Sequence, residues 1–142
     1  MNHLEGVRLA LDRAGVILDE ARNLQNRGVW NLVVRRCQEA VELALKGALQ
    51  WAGLEVPRVH DVGAVLRQHP DRFPPDFRGA IPKLASISRA LRAEREISFY
   101  GDEESGLPPE MLYDAADAAE ALTRATFVLN ICRGLLSQRE PE

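Results

Sequence analysis

Apolar residues recur every three or four positions along the first third of the chain, with charged residues between them. In the first stretch these residues are Leu4, Val7, Leu11, Ala14, Leu18 and Ala21. In the second stretch they are Trp30, Val33, Cys37, Val41, Ala44, Ala48 and Trp51. This spacing places each set along one side of an α-helix, whereas a strand would divide it between two faces. The pattern predicts helices over residues 3–27 and 30–52.

The second half of the chain continues the helical pattern. Asp76 is placed to cap a third helix, which should end near Ser98. Pro82 lies inside this segment and either kinks the helix or marks its true start. Pro109 leads into a fourth helix that should end near Leu136. The apolar stripe of this last helix consists of Ala115, Ala118, Leu122, Ala125, Leu129, Cys132 and Leu136.

Residues at the predicted helix ends suit their positions. Asn2 is a natural N-cap, and Glu5 follows it at the spacing of a capping box. Gly53 is a natural stop for the second helix. Asp61 is placed to cap a short additional helix over residues 62–68.

Together these elements predict an all-α protein, an antiparallel up-and-down four-helix bundle with an extra short helix between helices two and three. No alternating segment is bounded by hairpin turn residues, so no strand is expected. The 142 residues suit a single helical domain spanning 1–142. The tail, residues 137–142, is expected to fray.

Composition narrows the possible chemistry. Hydrophobic residues make up 46% of the chain, enough for a sizeable core, and the net charge is -3. A nucleic-acid-binding protein of this charge must concentrate its basic residues locally. Cys37 and Cys132 both lie on apolar stripes and are expected to be buried, reduced thiols. The three histidines show no metal-ligand spacing, so neither a metal nor another cofactor is expected.

The chain shows no membrane or export signal. No apolar run approaches the roughly 20 residues of a membrane span. Glu5, Arg8 and Asp12 interrupt any signal-peptide pattern at the N-terminus. We therefore expect a cytoplasmic protein that does not enter a membrane.

Several short features stand out along these helices. Gln38, Glu42 and Lys46 are spaced four apart on an Ala-rich stretch of the second helix. His60 and Asp61 directly precede the short helix over residues 62–68. Such spacing places the first three side chains on one face of their helix.

The later part of the chain adds two more features. Arg95 lies five residues before an aromatic–Gly–Asp turn at residues 100–102, and residues 113–136 place acidic and Ala residues before an aliphatic run. Taken in order, the four features resemble the HEPN family (higher eukaryotes and prokaryotes nucleotide-binding domain) over nearly the whole chain. The resemblance implies a four- or five-helix bundle that commonly dimerises. It also implies nucleotide or RNA chemistry, often beside a separate nucleotidyltransferase with which it behaves as a toxin–antitoxin pair.

The ribonuclease motif of this family is altered here. Active members carry an Arg, four to six variable residues and then a His, and two copies form a metal-free RNA-cleaving site across a dimer. In this chain no His occurs between Arg95 and the C-terminus. Tyr100 stands where a His is expected, but its hydroxyl has a reference pKa of about 10 and is a poor base near neutral pH. Arg95 and Tyr100 are therefore the candidate catalytic residues of a site that is missing or altered.

Two sets of residues are candidates for nucleotide or RNA binding. Arg89, Arg92 and Arg95 are three apart and form a slanted basic strip, which could hold an RNA backbone. Interleaved acidic residues favour the alternative that this strip is a solvated helix face.

The second set is Gln38, Glu42 and Lys46, which could line a ligand cleft. The favoured alternative is an ion pair along the helix between Glu42 and Lys46. For His60, the favoured interpretation is that it caps or orients the short helix rather than carrying a proton.

Three hypotheses for function follow. The leading one is a HEPN-type nucleotide- or RNA-associated module that forms a homodimer, partners a nucleotidyltransferase and is not itself an enzyme. The second is a metal-free ribonuclease toxin with an altered Arg-x4-Tyr site. The third is a dimerisation bundle without catalytic activity. Cleavage of RNA in the absence of metal would single out the second hypothesis.

Overall fold

Four long helices form the body of the computed structural model, which describes residues 2–56, 58 and 61–137. They are α1 (His3–Asn26), α2 (Trp30–Trp51), α4 (Pro75–Ala93) and α6 (Ala115–Gly134). Two short helices, α3 (Val62–Gln68) and α5 (Ile97–Tyr100), and three 3-10 turns, Pro70–Arg72, Pro109–Met111 and Leu135–Ser137, complete the described part. The predicted all-α bundle is confirmed. No helix in these ranges is long and apolar enough to cross a membrane.

The second helix, α2, lies at the centre of the bundle. It packs most extensively against α1 and α6, and it also touches α3, α4 and α5. Its predicted apolar stripe is buried at Val33, Cys37 and Val41, and so are Leu45 and Leu49, which lie off that stripe. A helix that is apolar over more than one side requires several neighbours. Because the apolar sides of α2 are buried, its polar side is the one that can contact a ligand.

Side-chain caps begin three of the helices. The Glu5 amide donates a 2.8 Å hydrogen bond to the Asn2 side chain, as predicted. The Gly63 amide donates a 3.0 Å bond to Asp61, and the bounds of α3 match the predicted ones. Asp114 and Asp117 form a reciprocal capping box that begins α6. This box places the start of α6 at Ala115, the first residue of the predicted apolar stripe.

The bounds of α4 also differ from the prediction. Pro74 is the N-cap and Pro75 the first helical residue, since the fixed φ of proline suits that position. Asp76 therefore lies inside the helix and does not cap it. Pro82 lies in the interior and does not mark the start of the helix. Because proline has no amide hydrogen, it removes one hydrogen bond from α4, yet the helix continues beyond it.

The third predicted helix is interrupted before its expected end. It stops at Ala93, and the chain turns before forming α5 as a separate helix, so the end predicted near Ser98 is wrong. Asn31 and Arg35 of α2 contact the backbone carbonyls that follow this end, as described below. The predictions for His60 and for the tail after Ser137 lie outside the described residues.

Both cysteines lie in the core. Cys37 and Cys132 are fully buried and unpaired, as predicted. Burial raises the pKa of the Cys37 thiol to about 12 and raises the pKa of Cys132 as well. These thiols therefore pack as small apolar side chains.

Close packing between α3 and α4 can be tested at Gly63. A Cβ atom at this position would lie 2.8 Å from the Cα of Ala85, too close for a backbone contact. We expect Gly63→Ala to lower the free energy of unfolding by about 1–3 kcal/mol, because the two helices must move apart. Urea denaturation measures this change.

Gly79 provides the matched control. It also lies in a helix, but a Cβ atom there would meet nothing within 4 Å. Gly79→Ala should raise the free energy of unfolding by about 0.5–1 kcal/mol, because alanine favours the helix. Equal effects of the two substitutions would contradict the close approach of α3 to α4.

Candidate functional site

A groove of about 220 Å³ runs along the polar side of α2, next to the segment that follows α4. We call it the α2 groove. Its lining residues are Arg35, Gln38, Glu39, Glu42, Leu43, Lys46 and Arg95. All but Arg95 come from α2, where spacings of three and four place them on one side of the helix. The structure thus brings four predicted binding residues together, namely Gln38, Glu42, Lys46 and Arg95.

Hydrogen bonds and charge link three of these residues. The Gln38 side-chain amide donates a 3.3 Å hydrogen bond to Glu42, and the Lys46 ammonium lies 3.9 Å from the same carboxylate. The ion pair expected along the helix is therefore present. Exposed pairs of this kind contribute little to stability. They do neutralise Glu42, so this carboxylate repels an anion less.

Arg95 differs from Lys46 in its partners. Its side chain is exposed at the edge of the α2 groove, and it forms no ion pair with any residue in the described ranges. A guanidinium offers five N–H donors in a planar fork that matches phosphate or carboxylate. Arg95 is therefore the groove's strongest candidate for binding an anion.

The backbone that carries Arg95 is held by α2. The Asn31 side chain donates a buried 3.1 Å hydrogen bond to the carbonyl of Ser98. The guanidinium of Arg35 donates to the carbonyl of Arg95, and the Ser98 hydroxyl donates to the same carbonyl at 3.2 Å. Arg35 also lies over the ring of Phe99, 5.2 Å from its centroid. These contacts fix α5 and the position from which Arg95 reaches the groove.

Asn31, Arg35 and Phe99 also belong to the site, although the sequence pattern did not predict them. Asn31 itself gives one signal: it is a polar residue at a buried position, so its side chain must find a hydrogen-bond partner. No sequence pattern identifies that partner, because it is a backbone carbonyl 67 residues away.

The remaining predicted residues lie around the groove rather than in it. Arg92 lines a small neighbouring cavity together with Gln38. Arg89 is exposed on α4 and does not line the α2 groove. Tyr100 is 70% exposed and makes an edge contact with Phe99, with 4.8 Å between ring centroids. The structure therefore does not place Tyr100 in the groove that Arg95 lines.

A side-chain hydrogen bond also connects the end of α4 to the segment before α6. The Tyr113 hydroxyl donates a short hydrogen bond to the Glu94 carboxylate. Burial, together with this carboxylate, raises the pKa of Tyr113. Tyr113 therefore stays protonated and acts as a hydrogen-bond donor.

No group of three His, Cys, Asp or Glu side chains within residues 2–56 and 61–137 is arranged to hold a metal ion. Besides its two carboxylates, the α2 groove offers three cationic side chains and the amide of Gln38. Such groups bind anions through charge-assisted hydrogen bonds.

Comparison with known proteins places this chain in a family. The chain matches the HEPN domain over residues 7–135. The crystal structure of ST0689, an archaeal HEPN homologue, shares 27% sequence identity and superimposes with a TM-score of 0.70, covering 92% of this chain and 98% of that one. TT1696 from Thermus thermophilus shares 24% identity and the same fold, with a TM-score of 0.75 over 95% of this chain and 99% of that one. No curated protein sequence is significantly similar.

Two buried amides on α2 allow a test of the site's polar contacts. Asn31 is satisfied by the Ser98 carbonyl, whereas the buried Gln38 Oε1 atom has no hydrogen-bond partner within the described part of the chain. An unpaired buried polar group costs about 1–3 kcal/mol. Asn31→Leu should therefore lower the free energy of unfolding by about 1–3 kcal/mol, because it leaves that carbonyl unpaired.

Gln38→Met should have the opposite effect. It removes the unpaired oxygen and keeps an unbranched side chain of similar size. It also removes the 3.3 Å hydrogen bond to Glu42, but that carboxylate is partly exposed and still lies near Lys46, so the free energy of unfolding should stay equal or rise by about 1 kcal/mol. Urea denaturation of both variants measures the difference. Strong destabilisation by Gln38→Met would contradict the description of this amide as only partly satisfied.

Proposed function

We propose, from the premise that this chain belongs to the HEPN domain family, that it is a nucleotide- or RNA-binding module. In this proposal it forms a homodimer and partners a separate nucleotidyltransferase in a toxin–antitoxin-like pair. The α2 groove carries the proposal, since it gathers Gln38, Glu42, Lys46 and Arg95 around one cavity. The pairing with a nucleotidyltransferase rests on the family resemblance.

The charges of the groove favour a phosphate ligand. Its three cations are Arg35, Lys46 and Arg95, and its two carboxylates are Glu39 and Glu42. Glu42 pairs with Lys46 and accepts a hydrogen bond from Gln38, and Glu39 lies 3.2 Å from the Arg36 guanidinium. Arg35 and Arg95 are therefore left to bind an anion. Three cations and two carboxylates give the groove a charge of +1, a local excess of positive charge on a chain of net charge -3.

Binding without cleavage is the favoured function. Metal-free RNA cleavage requires a group that exchanges a proton near neutral pH, and histidine is the usual one. The residues that line the α2 groove include no His, Cys or Tyr. The ribonuclease alternative requires Arg95 and Tyr100 to act on one substrate, yet the ring of Tyr100 contacts Phe99 outside the groove. The groove thus offers recognition of a phosphate rather than proton transfer.

A homodimer is supported by the surface beside the groove. The side chains of Ile97, Tyr100 and Met111 are between 40% and 70% exposed. Exposed apolar residues gathered in this way commonly belong to interaction surfaces. Arg89 and Arg92 on α4 and the acidic loop at residues 102–104 flank α5 along the chain. In a two-fold dimer such opposite charges can face each other.

Titration of a labelled single-stranded RNA in EDTA tests the proposal. We expect the wild-type protein to bind the RNA and Arg95→Gln to bind it roughly tenfold more weakly, because one charge-assisted contact to phosphate is lost. The control is Arg8→Gln, which makes the same charge change on an exposed part of α1. Unchanged affinity in Arg95→Gln, or an equal loss in Arg8→Gln, would contradict a site at the α2 groove.

The same samples, run on a denaturing gel, separate binding from catalysis. We expect the RNA to remain uncleaved with both the wild type and Arg95→Gln. Metal-independent cleavage by the wild type but not by Arg95→Gln would establish the ribonuclease alternative. Absence of RNA and nucleotide binding in a dimeric protein would leave the purely structural alternative.

A further inference from the structure

A second and larger cleft, of about 400 Å³, adjoins the α2 groove. It forms where α1, α2 and α5 meet, and we call it the Phe99 cleft after the aromatic ring in its wall. Its volume falls within the roughly 300–1,000 Å³ of typical small-molecule pockets. Arg35 and Glu39 line both the cleft and the α2 groove, so the two cavities are neighbours.

The charged residues of the Phe99 cleft leave a net positive wall. Arg36 lies 3.6 Å from the Glu20 carboxylate and 3.2 Å from that of Glu39, so these three side chains together carry a charge of −1, which the two further arginines of the cleft exceed. Arg27 and Arg35 also line the cleft, and neither forms an ion pair within the described part of the chain. Two guanidinium groups facing one cavity suit a phosphate.

Arg35 is held in place before any ligand binds. Its guanidinium donates to the carbonyl of Arg95 and lies over the ring of Phe99. This bond leaves most of its five N–H donors for other acceptors. A side chain that is already ordered loses less entropy when it binds, so the cleft is preorganised for an anion.

The other wall of the cleft is apolar and partly aromatic. The ring of Phe99 is 49% exposed, and Leu24 and Leu32 lie around the same cavity. Exposed aromatic rings beside cations are the common platform on which proteins stack unpaired bases. A base within a duplex has both faces covered by its neighbours, so it cannot stack on a side chain in this way.

We infer that the Phe99 cleft binds one unpaired nucleotide, with its base against Phe99 and its phosphate at Arg27 and Arg35. Because the two cavities share Arg35, a strand can continue into the α2 groove and present its next phosphate to Arg95. The ligand is therefore a single strand rather than a duplex. This inference rests on the proposed function and adds the place and the manner of binding.

Fluorescence anisotropy with a short labelled oligoadenylate tests the inference. Phe99→Leu should weaken binding roughly tenfold, the effect of losing one stacked base, because leucine keeps the apolar volume but lacks the ring. It should leave binding of an abasic strand of equal length unchanged. Arg27→Gln should weaken binding of both strands, because it removes a phosphate contact.

Arg8→Gln is the matched control for Arg27→Gln. Both residues are exposed and belong to α1 or its cap, but they lie roughly 28 Å apart along the helix axis at 1.5 Å per residue. Arg8→Gln should leave the affinity unchanged. Thermal unfolding confirms that each variant is folded, and the duplex form of the oligonucleotide should bind more weakly than the single strand.

Each other outcome overturns the inference or identifies its ligand. Unchanged oligoadenylate binding in Phe99→Leu and Arg27→Gln, combined with a loss in Arg95→Gln, would overturn it and leave the proposed function standing. An equal loss of oligoadenylate and abasic strand in Phe99→Leu would also overturn it. Absence of binding by the wild type would overturn both. Competition by AMP as strong as by the strand, lost in the same variants, would support the cleft with a free nucleotide as its ligand.

Discussion

The guanidinium of Arg35 donates a hydrogen bond to the carbonyl of Arg95, and this bond joins the central helix to the segment that leaves α4. Asn31 makes a parallel contact one turn earlier, with the carbonyl of Ser98. Together they hold the backbone where α4 stops and α5 begins. The positions of Arg95, Phe99 and both cavities follow from these contacts. A hydrogen bond from a charged donor to a backbone carbonyl is stronger than one from a neutral donor. The Arg35 guanidinium is therefore well suited to hold this backbone in place.

The burial of α2 explains why one helix both supports the core and forms the site. Its apolar sides contact α1 and α6, so its polar side is held rigidly by the packing of the others. Arg35, Glu39, Glu42 and Lys46 occupy that polar side. Sites built on rigid helices keep their geometry better than sites on loops. The α5 segment, which α2 holds, then supplies the aromatic wall of the neighbouring cleft.

More of the fold than of the candidate site could be predicted from the sequence. Helical spacing of apolar residues gave the four long helices, and Asp61 marked the start of α3 at the observed residue. The end of α4 was predicted too late, because the apolar spacing does not show that the chain turns after Ala93, and the contacts of that turn with α2 are long-range. The residues Gln38, Glu42 and Lys46 were identifiable by their spacing on one helix face. Phe99 was not, because its neighbour in the cleft, Arg35, lies 64 residues earlier in the chain.

Hydrogen exchange in Arg35→Met tests the central claim, that Arg35 holds α5 and thereby positions the site. Methionine keeps the alkyl stem but cannot donate to the Arg95 carbonyl. We predict at least roughly tenfold faster amide exchange at residues 98–101, with α6 unchanged, because losing a charged hydrogen bond eases local opening. Arg36→Met, whose guanidinium pairs with Glu20 and Glu39 instead, should leave these amides protected. Equal protection of residues 98–101 in wild type and Arg35→Met would contradict the account.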